Sequence, residues 1–408
     1  MRDIARQNFL SLYLPAATLA LATGIAAPAL PVYAKSFDVS FETASYVFTA
    51  QLAGTMLSTI PTGYFLDRIG RGKILIAGPL ILALSSFLTA FAQSFPELLA
   101  YRFLAGWAYQ MWIVSRLSII ADTGTANQRG RQITGMFTME NMGRMLGPAI
   151  GAGLAALWDV RAPFIVHGLL AIVTILPSLK LARISQRPPQ HSETAVDVTT
   201  GRSGLAALLT VQAMMFMLAY FMTSFARGPM FSGAIFLYPV YRYGVGPGEI
   251  GIIDTIASAL GIPIMLTAGH IMDKYGRKAT IVPGFSLLAL ALGFTAFTAW
   301  AGLPFPFFAA AYLIMQSSLN ITSGNMQTLG SDLAPAQGRA KFMSAWLMVG
   351  QLGMTVSPWA MGMLSTGLGY TAAFLALAAS SAGAAFIVGT QVRETVRRAP
   401  KQEPAPSS

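Results

Sequence analysis

Long apolar runs alternate with short polar connections from one end of the chain to the other. Each run has about 20 residues, the length that a helix needs to cross roughly 30 Å of hydrocarbon. Their recurrence excludes a single membrane anchor. We predict twelve transmembrane helices, at residues 9–34, 43–66, 74–94, 97–121, 132–157, 162–182, 209–241, 249–271, 279–300, 303–330, 342–365 and 369–391.

A polar stretch, residues 184–203, divides the chain near its middle. It contains two adjacent prolines, a glycine and acidic residues, a composition typical of a solvated linker. We therefore expect four parts: an N-terminal six-helix bundle at 1–183, a cytoplasmic linker at 184–203, a C-terminal six-helix bundle at 204–392 and a cytoplasmic tail at 393–408.

Sequence features of the first half return in the second half in the same order, about 206 to 210 residues later. The loop from Gly63 to Lys73 returns as the loop from Gly269 to Lys278. Two further elements recur, namely Asp122 with Arg129 as Asp332 with Arg339, and Gly143 with Pro148 as Gly353 with Pro358. Several ordered elements at nearly one displacement indicate that a six-helix unit was duplicated.

The loop from Gly63 to Lys73 reads Gly-x-x-x-Asp-Arg-x-Gly-Arg-x-Lys, which resembles the signature of the major facilitator superfamily. The resemblance covers essentially the whole chain. It implies an all-α membrane protein of twelve transmembrane helices in two pseudo-symmetric six-helix bundles, the major facilitator fold. It also implies a secondary transporter that works by alternating access.

The charges of this loop predict a gate. Asp67 with Arg68 and Arg71 can form a cluster that latches the two bundles on the inner side and breaks when the site opens inward. The alternative is that these charges only orient and cap the helices. With the small residues of the loop and the counterparts in the repeat, the predicted gating residues are Gly63, Asp67, Arg68, Gly70, Arg71, Asp122, Arg129, Gly269, Asp273, Gly276, Arg277, Asp332 and Arg339.

The fifth predicted helix contains Gly143, Gly147, Pro148 and Gly151, a pattern similar to one that exporters of the superfamily carry there. Small residues let helices approach closely, and the proline removes a backbone hydrogen bond, so the segment is a predicted hinge. Packing alone is the alternative. Arg144 stands inside the motif where an apolar residue is usual, which weakens the resemblance at that position.

Composition and charge agree with a membrane protein. Hydrophobic residues make up 54% of the chain and charged residues 11%, so the bulk of it must lie in lipid. Most of the 27 lysines and arginines fall in alternate connections, which predicts a bacterial cytoplasmic (inner) membrane protein with both termini in the cytoplasm. The net charge of +11 then reflects topology and anionic lipid, and we expect no nucleic-acid partner.

Charged residues inside the predicted helices are the main functional lead, because each is expensive in lipid and normally faces a cavity or a partner. Arg116 and Arg227 lie on helices that border the central cavity in similar proteins, and neither has a charged counterpart in the other half. With Gln316 and Asn320 as neutral partners, they predict a site for an anionic, zwitterionic or neutral polar substrate.

Glu140, Asp254 and Arg102 are the candidates for proton coupling, since buried carboxyl groups can exchange protons near neutrality and the superfamily often has an arginine where Arg102 stands. Each also has a simpler interpretation. Glu140 can pair with Arg144 four residues along its helix, Asp254 can be a local hydrogen-bond partner, and Arg102 can extend to the outer interface. His167 is expected to be a packing residue.

Other function classes lack their motifs. The chain has no phosphate-binding Gly-x-x-x-x-Gly-Lys-Ser/Thr loop, no His-Glu-x-x-His or Gly-x-Ser-x-Gly, and no cysteine. An enzyme is therefore not expected, and a substrate sensor would need an output domain. We predict a monomeric antiporter without cofactor or metal that exports a small organic compound in exchange for protons within the lipid bilayer. The alternative is an organic-anion importer that works by symport, exchange or facilitated flux.

Overall fold

The computed structural model describes residues 13–123, 126–184, 211–323, 325–334 and 339–392. Its helices are α1 (Leu14–Ala26), α2 (Ala29–Lys35), α3 (Phe41–Ile69), α4 (Arg71–Ala90), α5 (Phe95–Thr123), α6 (Ala126–Leu157), α7 (Ala162–Val173), α8 (Ile175–Ile184), α9 (Val211–Ser232), α10 (Leu237–Tyr243), α11 (Pro247–Tyr275), α12 (Lys278–Ala301), α13 (Phe305–Ile321), α14 (Asn325–Leu333), α15 (Arg339–Leu368) and α16 (Tyr370–Gln391). A 3-10 turn, Ala234–Phe236, joins α9 to α10. These described residues contain no β-strand.

The helices make twelve crossings, so the prediction from the apolar runs is confirmed. Short breaks divide four of them: α1 with α2, α7 with α8, α9 with α10, and α13 with α14. Within the described residues, six stretches can cross a membrane by length and composition alone, namely Leu14–Lys35, Arg71–Ala90, Ala162–Leu179, Pro247–Met272, Lys278–Ala301 and Tyr370–Gln391. The predicted linker after Ile184 and the predicted tail at 393–408 lie outside the described residues.

The two halves form pseudo-symmetric bundles, and the glycines of the repeated loop show the relationship directly. Gly70 ends α3 at φ +101°, and Gly276 ends α11 at φ +103°, a region that side chains with a Cβ rarely adopt. The amide of Gly70 donates to the Leu66 carbonyl at 3.2 Å, and that of Gly276 donates to the Met272 carbonyl at 3.1 Å. The same local geometry therefore ends equivalent helices in both bundles.

Close packing within the first bundle depends on glycine. A Cβ built on Gly147 of α6 would lie 2.6 Å from the Cα of Gly24 on α1, so the two backbones touch and no side chain fits between them. The equivalent contact in the second bundle joins α15 to α9. There Ser357 takes the place of glycine, and its hydroxyl donates a hydrogen bond to the Phe225 carbonyl.

The bundles contact each other near the end of the molecule that carries residues 35–40, called here the Lys35 end. The opposite end, which carries Gly70 and Gly276, is called the Gly70 end. α3 packs against α15, α6 against α11 and α2 against α10. Phe41 places its ring edge-on to Tyr241 and Tyr370, at centroid distances of 5.5 and 5.1 Å. These aromatic contacts close the Lys35 end between the bundles.

Candidate substrate and coupling site

A close backbone approach of the two bundles, called here the bundle seam, joins α6 to Gly251 of α11. A Cβ on Gly251 would lie 2.5 Å from the Pro148 carbonyl oxygen and would also collide with Ala152. Arg144 and Glu140 follow on the same stripe of α6, because positions four apart are neighbours on a helix. They lie about 6 and 12 Å from Pro148 along the axis, toward the Gly70 end.

Arg116 of α5 and Glu140 of α6 form a buried ion pair between helices. The exposed fraction is 2% for Arg116 and 5% for Glu140, so water does not screen the attraction. The guanidinium carbon of Arg116 also lies over the ring of Trp112, 3.9 Å from its centroid. Arg116 is thus held from two sides, by a carboxylate and by an aromatic face.

Arg144 has a different partner from the one its spacing favours. An ion pair with Glu140 along α6 was the simple interpretation, but that carboxylate bonds Arg116 instead. Arg144 donates to the Tyr109 hydroxyl of α5 at 3.2 Å, and its Nε is buried without a hydrogen-bond partner. The interhelical pair prevails because Arg116 and Glu140 are both nearly inaccessible, whereas an intrahelical pair contributes only about 0.2–0.5 kcal/mol.

One carboxylate and two guanidinium groups therefore share the space between α5 and α6. Glu140 forms its ion pair with Arg116 and also attracts Arg144, whose described hydrogen bond goes to the neutral Tyr109 hydroxyl. We call Tyr109, Trp112, Arg116, Glu140 and Arg144 the α5–α6 cluster. The cluster carries one positive charge in excess.

The second bundle places an acid on its own side of the seam. Asp254 follows Gly251 by three residues on α11, and its Oδ1 accepts a hydrogen bond of 2.7 Å from the Tyr312 hydroxyl of α13. The Gln316 side chain lies beside this pair. Asn320, one turn further, donates to the Gln316 carbonyl at 2.8 Å. Three of the predicted site residues are therefore neighbours, although they were assigned to two different roles.

Arg102 lies apart from the cluster, in the same helix as Arg116. Its guanidinium donates to the Gln51 side chain of α3, while Nε and Nη1 are buried without hydrogen-bond partners. With an exposed fraction of 5%, it does not extend to the interface as the simpler interpretation held. His167 is also buried, and its Nδ1 lies 3.1 Å from the Ser86 hydroxyl, as expected of a packing residue.

Arg227 of α9 is the remaining predicted substrate residue. It is half-buried, its Nε is buried without a hydrogen-bond partner, and Tyr220 lies close enough to interact electrostatically. The next residue, Gly228, packs against Ser357 of α15. The structure does not bring Arg227 into the α5–α6 cluster.

The predicted gating residues lie at the Gly70 end. Arg68 is exposed and donates to the Tyr64 hydroxyl of its own helix, and Arg71 reaches the Ser118 carbonyl of α5 at 3.5 Å, within one bundle. Asp67 is exposed, and a Cβ built on Gly63, Gly70 or Gly269 would meet no described atom within 4 Å. The side chains of Asp122, Arg129, Asp273, Asp332 and Arg339 lie outside the described part of the structure. A latch between the bundles stays a prediction.

The predicted hinge residues face two neighbours. Gly143, Gly147 and Gly151 point toward α1, whereas the Pro148 carbonyl faces Gly251 of the other bundle. α6 is therefore the helix through which a movement of α1 would reach the bundle seam. Within the described residues, no group of three or more histidines or acids is placed to hold a metal.

A family model described as the Major Facilitator Superfamily matches residues 12–341 and 216–408, which together span nearly the whole chain. The chain belongs to the major facilitator superfamily. Membership makes it a multi-pass membrane transporter of small molecules, and its relatives are transporters rather than enzymes. The resemblance noted in the Gly63 to Lys73 loop is confirmed.

Relatives within the superfamily differ in what their names say they act on. The tetracycline resistance protein, class B, of Escherichia coli is 27% identical over 296 residues, which cover 70% of this chain and 72% of that protein. The quinolone resistance protein of Staphylococcus aureus is 23% identical over 263 residues, or 64% and 66%. The 4-hydroxybenzoate transporter of Pseudomonas aeruginosa is 23% identical over 378 residues, or 86% and 83%.

Solved structures of the superfamily establish the fold. A D-xylose-proton symporter superposes with a TM-score of 0.75 at 16% identity, covering 94% of this chain and 98% of that one. A POT family transporter in complex with 5-aminolevulinic acid gives a TM-score of 0.74 at 15% identity, covering 95% of each chain.

The sequence missed the aromatic and amide partners of the charged residues. These partners are Tyr109 for Arg144, Trp112 for Arg116, Gln51 for Arg102 and Tyr312 for Asp254. Aromatic residues are common in membrane helices, so no single one stood out. Spacing along the sequence offered a usable signal for one of them. Trp112 precedes Arg116 by four residues, which places the two side chains on one helix face.

Proposed function

We propose that this transporter is a proton-coupled exporter of a small organic compound that is anionic, zwitterionic or neutral and polar. The observation that carries the proposal is the α5–α6 cluster beside the bundle seam. Its single excess positive charge would attract an anionic group and repel a lipophilic cation. In a low-dielectric site this preference is stronger than at a surface.

Export is favoured by the glycine motif of α6. The glycines contact α1 and the Pro148 carbonyl contacts α11, so repacking of this one helix would change the seam. The names of two relatives support the same direction, since a transporter gives resistance to tetracycline or to quinolones when it moves the drug away from its target.

Proton coupling would use the buried carboxyl groups of Glu140 and Asp254, with Arg102 as an accessory group. Protonation of Glu140 would remove the counter-charge of Arg116, and protonation of Asp254 would change its bond with Tyr312. Either event would alter the charge next to the seam. The similarity in fold to a D-xylose-proton symporter makes protons a reasonable coupling ion.

We also propose an orientation. The distribution of basic residues would place the Gly70 end and both termini in the cytoplasm of a bacterium and the Lys35 end outside. The bundles, 1–183 and 204–392, would then be closed outward, with the site reached from the cytoplasm. This orientation would serve a monomeric exporter that loads its substrate inside.

The second candidate function is import of an organic anion by symport, exchange or facilitated flux. It is favoured by the match to the 4-hydroxybenzoate transporter, which covers 86% of this chain and whose named substrate carries a carboxyl group. The α5–α6 cluster serves either direction equally well. The two functions differ in the direction of the proton gradient that drives accumulation of the substrate.

A counterflow screen of the purified protein in liposomes tests the proposal. The panel comprises organic acids, amino acids, sugars and drugs, and each hit is measured again with an acidic lumen and with an acidic exterior. Proton antiport predicts that an acidic lumen drives uptake, whereas symport predicts the same for an acidic exterior. Protein-free liposomes are the control, and counterflow confined to cations would contradict the substrate class.

A further inference from the structure

We infer that Arg144, rather than Arg116, is the arginine that contacts the anionic group of the substrate. The inference rests on the proposed function, because it names the residue that receives the anionic substrate at the same site. Sequence position alone favoured Arg116 and Arg227. The contacts of the α5–α6 cluster assign the role differently.

Arg116 already has a counter-charge, although its Nε and Nη1 are buried without hydrogen-bond partners. It is 2% exposed, it is bonded to Glu140, and its guanidinium lies over the Trp112 ring at 3.9 Å. Little of this guanidinium is open to a substrate carboxylate, which would also have to compete with Glu140 for it. Arg116 instead joins α5 to α6 within the first bundle.

Arg144 has no ion-pair contact among the described residues, although Glu140, which is paired with Arg116, attracts it from a distance. Its described hydrogen bond goes to the neutral Tyr109 hydroxyl at 3.2 Å, and its Nε is buried without a partner. A guanidinium in such surroundings gains most from an anion, since a hydroxyl does not repay the loss of hydration. The Arg144 side chain is also less buried than that of Arg116.

The position of Arg144 suits a substrate that contacts both bundles. It lies one helical turn from Pro148, whose carbonyl touches Gly251 of the second bundle. A ligand bound there lies at the edge of the contact that must open and close. The substrate that fits best has one acidic group, which matches the single excess charge of the α5–α6 cluster.

Binding to the full-length protein in detergent tests the assignment, with acetate, benzoate and phenylphosphonate as probes and benzamide as the neutral analogue of benzoate. We expect at least one anion to raise the thermal unfolding temperature of the wild type, and benzamide not to do so. Arg144→Gln is expected to weaken anion binding at least tenfold, Arg144→Lys by a smaller factor, and Tyr109→Phe by a few fold. Arg161→Gln, which removes the same charge at an exposed position, is expected to bind as the wild type does.

Three results would overturn the inference. One is wild-type protein that binds none of the three anions, and another is Arg144→Gln protein that binds them as tightly as the wild type. The third concerns the double variant Arg116→Gln with Glu140→Gln, which removes the ion pair without leaving a lone buried charge. Loss of anion binding in this double variant, together with retained anion binding in Arg144→Gln, would assign the contact to Arg116. Counterflow distinguishes failure of the proposed function from failure of the residue assignment. Transport of neutral or cationic compounds alone would refute the proposed substrate class. Anion counterflow that is unchanged in Arg144→Gln would refute only the role of Arg144.

Discussion

Lys35 of the first half donates a hydrogen bond to the backbone carbonyl of Val240 in the second half, at 2.8 Å. Its ammonium group also lies 5.2 Å from the centroid of the Tyr241 ring. Tyr241 returns the contact, because its hydroxyl donates to the Val39 carbonyl at 2.7 Å. Each half thus donates a side-chain hydrogen bond to the backbone of the other, where the repeated Pro-Val-Tyr segments 31–33 and 239–241 meet.

Replacing Lys35 by methionine should weaken closure of the Lys35 end. The variant loses a hydrogen bond to a charged donor, a contribution of about 1.5–3 kcal/mol, so the ratio of closed to open protein at this end should fall about tenfold or more. The chain has no cysteine, which makes the measurement direct. With Ser45→Cys, whose side chain is buried where α3 packs against Gly362 of α15, the rate of labelling by a maleimide reports opening of this end.

The parent that carries only Ser45→Cys is the control for that experiment. Lys278→Met is a second control, because it removes a lysine that bonds the Gly389 carbonyl within the second bundle. Equal labelling rates in the parent and in Lys35→Met would show that Lys35 does not stabilise the closed end.

Replacing Asp67 by asparagine should shift the balance between the two access states without unfolding the protein. Asp67 is exposed in this arrangement, so its role would appear when the Gly70 end closes. We expect transport to fall several fold at equal expression. Asp159→Asn, at the exposed Lys35 end, is the matched control. Wild-type transport rates in Asp67→Asn would remove the gating role.

Replacing Glu140 by glutamine should abolish proton-driven accumulation while counterflow continues. The change leaves Arg116 buried without its carboxylate, at a cost of about 3–5 kcal/mol, so thermal unfolding must be measured alongside. The double variant with Arg116→Gln should restore stability but not coupling. Restored coupling in that double variant would mean that Glu140 serves the fold alone.

Replacing Asp254 by asparagine tests the carboxyl of the second bundle in the same assay. Asparagine can still accept a hydrogen bond from Tyr312, so the contact at 2.7 Å can persist while proton exchange is lost. We expect accumulation driven by the pH gradient to fall at least tenfold. Tyr312→Phe removes the hydrogen bond but keeps the carboxyl, and it should retain coupling. A gradient response equal to wild type in Asp254→Asn would exclude this residue as the proton carrier.

Adding a methyl group at Gly147 should separate α6 from α1. The new Cβ would lie 2.6 Å from the Cα of Gly24, and backbone cannot yield as a side chain can. Overpacking of this kind costs about 1–3 kcal/mol, and transport should fall with stability. Gly153→Ala is the matched control, since its Cβ would meet no described atom within 4 Å. Similar losses in both variants would point to helix propensity rather than to packing.

The sequence predicts the crossings of the fold well, because the thickness of a bilayer sets the length of each apolar run. It also predicts the equivalence of Gly70 and Gly276, since a left-handed residue at a helix end leaves a glycine in the sequence. The partner of Glu140 could not be predicted in this way. Spacing along α6 favours Arg144, but the rotation of α5 against α6, which tertiary packing determines, brings Arg116 to the carboxylate.

The difference between Gly147 and Ser357 says something about how the two copies of an ancestral six-helix unit diverged. In the first copy, α6 and α1 meet through bare backbone, whereas in the second the matching helices are tied by a serine hydroxyl on the Phe225 carbonyl. A contact without a directional bond permits sliding, and a hydrogen bond in lipid resists it. After duplication the two copies would then have specialised. The first six-helix bundle would deform during transport, and the second would stay rigid while the first moves against it.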